Sequence, residues 1–543
     1  MRRLLCSPLS RGTERKWTLT VCVKPWNCKL PLGQCCSKQS RQYSPASTRR
    51  IRTRQTMSSS DSSSQTNEMY SNTKFPAYYK ATLQLEDHDF ERMISSFKEP
   101  LPAVFRLRLD SPSREAVKAE LNRLVGTEVS LEGGALRACT ELEWYPEHLA
   151  YSLGCDRRTL RKNPELAAFH DWVTWHVDSG DITRQEAVSM VPPLLLRVQK
   201  HHHVLDMCAA PGSKTSQLLE MVSSTVTGEE GLSACPEGFV VANDADRDRC
   251  FMLIKNTLRL RSPALMVTNH EATHLPNLNL DAILRGPELE GDAEAEASSH
   301  PVVDETGVFD RVLADVPCSG DGTIRKNPTA WHRWTPRGAY TLHPVQLQVA
   351  LRGAALLKQG GYMVYSTCSL NPIEDEAVVA ELLRQTGGAL QLVDCSDDLP
   401  QLKRRPGLES WLVMDDKAMS VRERKQSRRD RNAAPRPEEE VSAERTAEML
   451  EYATWDSIAD ESRRGLIHAS CFPPSAEEAS ELQLRRCMRI LPQDNDTGGF
   501  FVAVLRKVAP LPSFAGPTKR RYKRIQAKLA AGKVTGSSPP CMS

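Results

Sequence analysis

Five apolar runs between Val204 and Cys368 each stop abruptly at polar residues: Asp206, Asp244, Glu271, Asp315 and, after Tyr362 to Tyr365, the run Ser366-Thr367-Cys368-Ser369. Helix-length segments separate most of them. Short buried strands alternating with helices read as βαβ units of a parallel sheet, with right-handed crossovers and strand ends that deliver side chains into one crevice. The expected class is α/β, a Rossmann-like sheet.

The first unit is the most specific. Val204-Leu205-Asp206 ends a strand, Ala209 to Ser213 forms a small-residue turn, and Lys214 opens a helix. Small residues let backbone approach a ligand, and a helix amino terminus presents free N–H groups. The turn matches neither the phosphate loop G-x-x-x-x-G-K-[ST] nor G-x-G-x-x-G, which disfavours a nucleoside triphosphate or a dinucleotide. Asp244, at the tip of the second strand, is placed to accept ribose hydroxyls, the alternative being a helix cap. Glu271, after ALMVTNH, is a further candidate contact. A ribose-bearing ligand without a phosphate loop points to S-adenosylmethionine.

Two later strand ends bring Asp315, Cys318 and Cys368 toward the same crevice. The chain holds 16 cysteines, and a free cysteine at a strand end is ordinarily a small packed hydrophobe. No C-x-x-C pair occurs, so neither zinc nor a disulfide framework is expected, and a reducing compartment fits best. His201 to His203 are consecutive and cannot converge on one ion from a strand, so no metal is expected. No run is long enough for a membrane-spanning helix.

At 543 residues two or three domains are expected, and the net charge of +3 hides segregated blocks. Met1 to Thr56 holds thirteen Arg or Lys against the single acid Glu14. That suits either a mitochondrial presequence or an untranslated extension ahead of Met57. Residues 1–74 are read as a disordered extension. Residues 75–178 are read as a small α/β accessory domain, with Arg106, Arg108, Arg114 and Lys118 either facing RNA or forming a solvated face. There Trp144, Tyr145, Trp172 and Trp175 stack bases or, for most of them, pack a core. The catalytic domain is expected over 179–508, with disordered insertions near 285–307 and 417–450. Leu484 to Val508 is expected to supply two strands closing the sheet edge, followed by a basic tail over 509–543.

DMCAAPGSKT, DVPCSGDGT with KNPTAW, YSTCSLNPIEDE and TGGFFVAVL resemble the Nol/Nop/Sun (Sun-domain) RNA cytosine-5 methyltransferases. EWYPEHLAYSL, LRKNPELAAFHDW and GDITRQEAVSMVPPLLL are most similar to the eukaryotic tRNA-modifying branch. The likeness spans roughly Phe75 to Lys507. It implies a class I methyltransferase fold with a small RNA-binding domain in front. It also implies an S-adenosylmethionine site at Cys208, Ala209, Ala210, Pro211, Gly212, Ser213 and Lys214, with Asp244, Glu271 and Asp315. The nucleophile maps onto Cys368, with Thr-Cys rather than Pro-Cys marking RNA over DNA, and the cysteine of product release maps onto Cys318. Glu271 stands where the family usually has Asp, and the tRNA-modifying branch normally continues past the point where this chain stops.

The expected activity is 5-methylcytosine formation, in tRNA above other RNAs, by a monomer without membrane or metal. Attack of a thiolate on carbon-6 makes carbon-5 nucleophilic. Lys214 is expected to favour the thiolate, and Asp315 to hydrogen-bond or protonate ring N3. A nuclear or nucleolar address is expected, or a mitochondrial one if the presequence is real. The rival readings are an RNA-binding scaffold with a spent site, and methylation of a protein or small molecule, for which two cysteines have no purpose.

Overall fold

The computed structural model describes residues 69–123, 125, 128–131, 134–137, 139–223, 236–277, 307–416 and 449–512. The expected N-terminal extension, both insertions and the basic tail lie wholly or mostly outside these residues.

Nine strands build the main sheet: β1 (His203–Asp206), β2 (Phe239–Asn243), β3 (Leu265–Thr268), β4 (Phe309–Asp315), β5 (Leu357–Thr367), β6 (Leu390–Leu392), β7 (Arg405–Pro406), β8 (Met488–Ile490) and β9 (Phe500–Lys507). Their order is β7-β8-β9-β5-β4-β1-β2-β3, with β6 also pairing β9. β3, β2, β1, β4 and β5 are parallel neighbours. The chain lays β1, β2 and β3 outward, then returns to the other side of β1 with β4. That reversal is a topological switch point, where a parallel sheet opens a ligand crevice. This is the Rossmann-like α/β sheet read from the sequence.

Both faces of the sheet are covered, which is why its strands are near-continuous apolar runs. Leu205, Val312, Met363 and Phe501 enter one core, packed beneath the helices Arg337–Leu356 and Glu376–Thr386. Their chain neighbours Val204, Leu313, Val364 and Val502 enter the other, with Leu218, Leu219 and Val222 of the helix Ser213–Ser223. β8 and β9 do pair, with Met488 opposite Val502, yet they do not close the edge as expected. β9 lies inside the sheet between β5 and β8, and β7 is the edge. The reason is visible in β9 itself, where every residue but Arg506 is buried.

A second, antiparallel sheet orders Thr140–Glu141, Ala150–Ser152, Val104–Leu107 and Ile182–Arg184. Ile182–Arg184 belongs to it, so the boundary placed after residue 178 falls inside this layer. The helices Lys74–Thr82 and Asp87–Lys98 pack instead on Trp331, Trp334 and Leu491 of the main body. Phe75, Tyr78 and Tyr79 are fully buried there, and the Tyr78 hydroxyl donates to Asn371 Oδ1 at 3.0 Å.

The four basic residues read as RNA-facing or solvated each have partners within the fold. Arg106 is 1% exposed and ion-paired with buried Glu220. Arg108 is clamped on Asp110 at 2.8 Å, Arg114 donates to the Leu109 carbonyl at 2.8 Å, and Lys118 donates to the Glu147 carbonyl at 2.7 Å. Arg106 ties the small sheet to the main body. Its Nε donates to Gln185 Oε1 at 2.8 Å, and Gln185 Nε2 donates to Gln217 Oε1 at 3.0 Å. Among the aromatic residues, Trp144 and Tyr145 are buried and Trp172 donates to Glu120, while Trp175 is 64% exposed.

Candidate active site

The carboxyl ends of β1, β4 and β5 open into a cleft of about 790 Å³ beneath the small sheet, within the range of small-molecule sites. Its lining includes Asp206, Cys208 to Lys214, Glu186, Ser189, Asp315, Cys368 and Phe500. Cys318 and Cys368 meet here, their sulfurs 3.1 Å apart. Hydrogen bonding to Cys368 and burial hold the Cys318 thiol well above the usual range. Cys318 is therefore a thiol in the resting site, with an S–H to give to the Cys368 sulfur.

Lys214 is buried and reaches two partners, Asp315 Oδ2 at 2.9 Å and Ser189 Oγ at 2.8 Å. Burial alone would lower its pKa, but Asp315, and after it Cys368 and Asp206, raise it, so the ammonium stays charged. Its Nζ lies 5.2 Å from the centre of the Phe500 ring. The other Asp315 oxygen accepts from Ser366 Oγ at 2.7 Å. Asp315 is thus ion-paired and accepts two hydrogen bonds at the edge of the cleft.

The turn after β1 fits S-adenosylmethionine. Gly212 has φ +104°, and a Cβ there would come 2.8 Å from Leu253 Cδ1, so only glycine suits the position. Asp206 supplies the telling atom. Its Oδ2 accepts from Thr215 Oγ1 at 2.7 Å, while its buried Oδ1 has no partner among the described residues. Burial pushes this carboxyl up to about 7. An orphan acceptor facing the turn suits the amino or hydroxyl groups of such a ligand. Burial also drives the Cys208 thiol far up, so it packs the turn as an inert neighbour.

Asp244 lies behind the turn and Glu271 outside the cleft. Asp244 is 3% exposed and does not line the cleft. Its oxygens accept from Ala210 N at 3.1 Å and Asp246 N at 3.0 Å, so it braces the turn from behind. The helix cap is Asp246, which accepts from Arg249 N. Glu271 stands outside the cleft with a 70% exposed side chain, beside His274 at 3.3 Å.

Beneath the cysteines lies a buried acidic cluster that went unassigned from sequence. Glu374 accepts from Ser319 N at 2.8 Å, Gln346 Nε2 at 3.0 Å and Ser369 Oγ at 3.3 Å. It thereby ties the loop carrying Cys318 to the turn carrying Cys368. Thr367 Oγ1 donates to Asp375 at 2.6 Å, and Arg489 is ion-paired with Glu376 and lies 3.6 Å from Asp375. The spacing IEDE in an apolar context was the available signal. Gly498 and Gly499 of the TGGFF motif let β9 reach the site, since Gly499 N donates to the Gly322 carbonyl and Gly322 N to the Cys368 carbonyl, at 2.8 and 2.9 Å.

Residues 193–399 match the family described as 16S rRNA methyltransferase RsmB/F. Over those residues the chain is similar to the RsmB/F methyltransferases. It is 39% identical over 460 residues to the multisite-specific tRNA:(cytosine-C(5))-methyltransferase trm4b of Schizosaccharomyces pombe, covering 81% of this chain and 60% of the relative. It is 40% identical over 443 residues to the multisite-specific tRNA:(cytosine-C(5))-methyltransferase of Saccharomyces cerevisiae, covering 80% and 55%. The chain thus spans little more than half the length of these relatives. A methyltransferase homolog protein from Pyrococcus horikoshii aligns at 20% identity and TM-score 0.47, over 82% of this chain and 99% of that one. Among the described residues, no cluster of His, Cys, Asp and Glu could hold a metal, and no helix is long and apolar enough to cross a membrane.

Proposed function

We propose that this chain transfers a methyl group from S-adenosylmethionine to carbon-5 of cytosine in RNA, with tRNA as the substrate. The observation that carries the chemistry is the pair of sulfurs 3.1 Å apart beside the β1 turn. The printed names of the two yeast relatives supply tRNA. An RNA partner also suits the mouth of the cleft. There Arg157, Arg158, Arg161, Arg184, Arg259 and Lys326 line the wall, a basic track for phosphates.

Cys368 acts as the nucleophile, its thiolate favoured by the Lys214 ammonium and by the S–H of Cys318. Thiolate addition to carbon-6 moves electron density to carbon-5. The cofactor, when bound, supplies an electrophilic methyl group on a sulfonium. Once Cys368 is bonded to carbon, its hydrogen bond and charge no longer hold the Cys318 proton. Cys318 then acts as the base that takes the carbon-5 proton as Cys368 leaves. The target base must leave its stack to enter the cleft, so loop or junction cytosines are the better substrates.

The test uses RNA containing 5-fluorocytosine, which halts the sequence at the covalent adduct. Wild type is expected to form a denaturation-resistant adduct and Cys368→Ala none, while Cys318→Ala accumulates adduct with ordinary RNA. An adduct that persists in Cys368→Ala and vanishes in Cys318→Ala reverses the assignment. Absence of any adduct and of any 5-methylcytosine with wild type removes the proposed activity.

A further inference from the structure

We propose that Ser189 is a positioning residue of this site, holding the Lys214 ammonium against Asp315, and that the buried glutamines Gln185 and Gln217 hold Ser189 in turn. The inference rests on the reading of the chain as an RNA cytosine-5 methyltransferase, in which Lys214 favours the Cys368 thiolate.

Three carboxyl groups compete for one ammonium. Asp315 is its ion-pair partner at 2.9 Å, while Asp206 and Glu186 are both close enough to interact with the same charge. A lysine stem is flexible enough to follow any of them, because the ammonium is a compact point charge with three rotatable donors. Two fixed acceptors are needed to choose one direction. Asp315 supplies the first, and its other oxygen is held by Ser366 at 2.7 Å. Ser189 Oγ supplies the second at 2.8 Å.

A buried network sets the place of Ser189. The residue lies in the single turn Val188–Met190, just past the strand Ile182–Arg184 of the small sheet. Gln185 Nε2 donates to the Ser189 carbonyl at 2.9 Å and to Gln217 Oε1 at 3.0 Å. Gln217 Nε2 donates to the Met190 carbonyl at 3.1 Å. Gln217 stands three residues after Lys214 on the helix Ser213–Ser223, so the two share one face of it. The same helix carries Glu220, the partner of Arg106, and Arg106 Nε donates to Gln185 Oε1 at 2.8 Å. Gln185, Gln217, Glu220 and Arg106 are each at most 2% exposed, so slippage of the turn against the helix would leave buried polar groups without partners.

Alanine at position 189 removes the hydroxyl acceptor but keeps the carbonyl that receives Gln185. The network therefore survives the substitution. The ammonium is then able to turn toward Asp206 or Glu186, and its charge acts less on Asp315 and Cys368.

The test compares wild type, Ser189→Ala, Ser189→Thr, Lys214→Met and the Ser189→Ala, Lys214→Met double variant. One readout is kcat and KM for 5-methylcytosine formation. The other is the rate of iodoacetamide alkylation at Cys368 at pH 7, followed by peptide mass spectrometry without RNA or cofactor. Ser189→Ala is expected to lower kcat and the alkylation rate about tenfold each, the scale of one hydrogen bond to a charged group, with both KM values within about threefold of wild type. Ser189→Thr keeps the hydroxyl and restores both rates. In the Lys214→Met background Ser189→Ala changes the alkylation rate no further, because the hydroxyl acts through the ammonium. Ser189→Ala with wild-type kcat and alkylation overturns the proposal. So does a Ser189→Ala effect as large in Lys214→Met as in wild type, or a loss that tracks a fall in melting temperature. A wild type that forms no 5-methylcytosine overturns the underlying activity instead, and the alkylation rates still decide the role of Ser189.

Discussion

Substituting Glu374 by Gln should flatten the pH dependence of stability while leaving the loops around both cysteines in place. Burial, reinforced by the nearby Asp321 carboxyl, pushes Glu374 from 4.5 up to about 7. Between those values the folded chain holds a proton that the unfolded chain has released, so stability falls as pH rises through the window and levels off above it. The full loss is about 3 kcal/mol, at 1.36 kcal/mol for each factor of ten in proton affinity. The geometry permits the substitution. The glutamine carbonyl can take the place of Oε2, which accepts from Ser319 N and Gln346 Nε2, and its amide can donate to Ser369 Oγ. Urea unfolding at pH 4.5, 6, 7 and 8 should show the variant gaining on wild type by about 3 kcal/mol across the series. A difference between the two proteins that is constant with pH would refute this reasoning, because the proton would then not reside on Glu374.

Two further outcomes are expected. Arg489→Met leaves Glu376 and Asp375 buried without their cation, and also removes a 2.8 Å hydrogen bond to the Leu370 carbonyl. A loss of about 3–5 kcal/mol in urea unfolding is the scale for breaking a buried pair from one side. Arg158→Glu with Arg161→Glu should weaken RNA binding and reduce the log–log salt slope by about 1.4, two phosphate contacts at about 0.7 each for single strands. The same charge change at Lys98 and Lys403, away from the cleft, should leave the slope intact.

What could be read from the sequence followed local rules. Each strand of the parallel half announced itself as an apolar run, and most crossovers as helices, so the α/β class and the convergence of Cys318 with Cys368 were legible. The fate of charged residues was not. Arg106 looks like any surface arginine until Glu220, a residue 114 positions later, is found buried against it. Asp244 was recognised as a strand-tip acid, but whether its oxygens face a ligand or the backbone of the turn depends on the path of Ala210. Glu271 missed the cleft because β3 is the outermost strand, two places from the switch point. The glycines of TGGFF were quoted as a motif without a reason. Gly498 leaves room for the Glu186 carboxyl and Gly499 for Leu370 and Gly322, contacts that join chain segments hundreds of residues apart.

On the mechanism proposed above, the contact between the two sulfurs accounts for a site that needs one nucleophile and carries two cysteines. A lone thiolate could attack carbon-6, but removal of the carbon-5 proton calls for a base that is absent before methylation and present after it. A permanent base beside Cys368 would be a second negative charge in a buried site and would disfavour the nucleophilic thiolate. Cys318 avoids this conflict because the leading cause of its raised pKa is Cys368 itself, through a hydrogen bond and through charge. On the proposed mechanism, bond formation at Cys368 removes both of these causes and leaves burial and the nearby carboxylates as the remaining ones. Glu374 holds the loop of one cysteine to the turn of the other, which keeps the sulfurs close enough for each to sense the state of its neighbour.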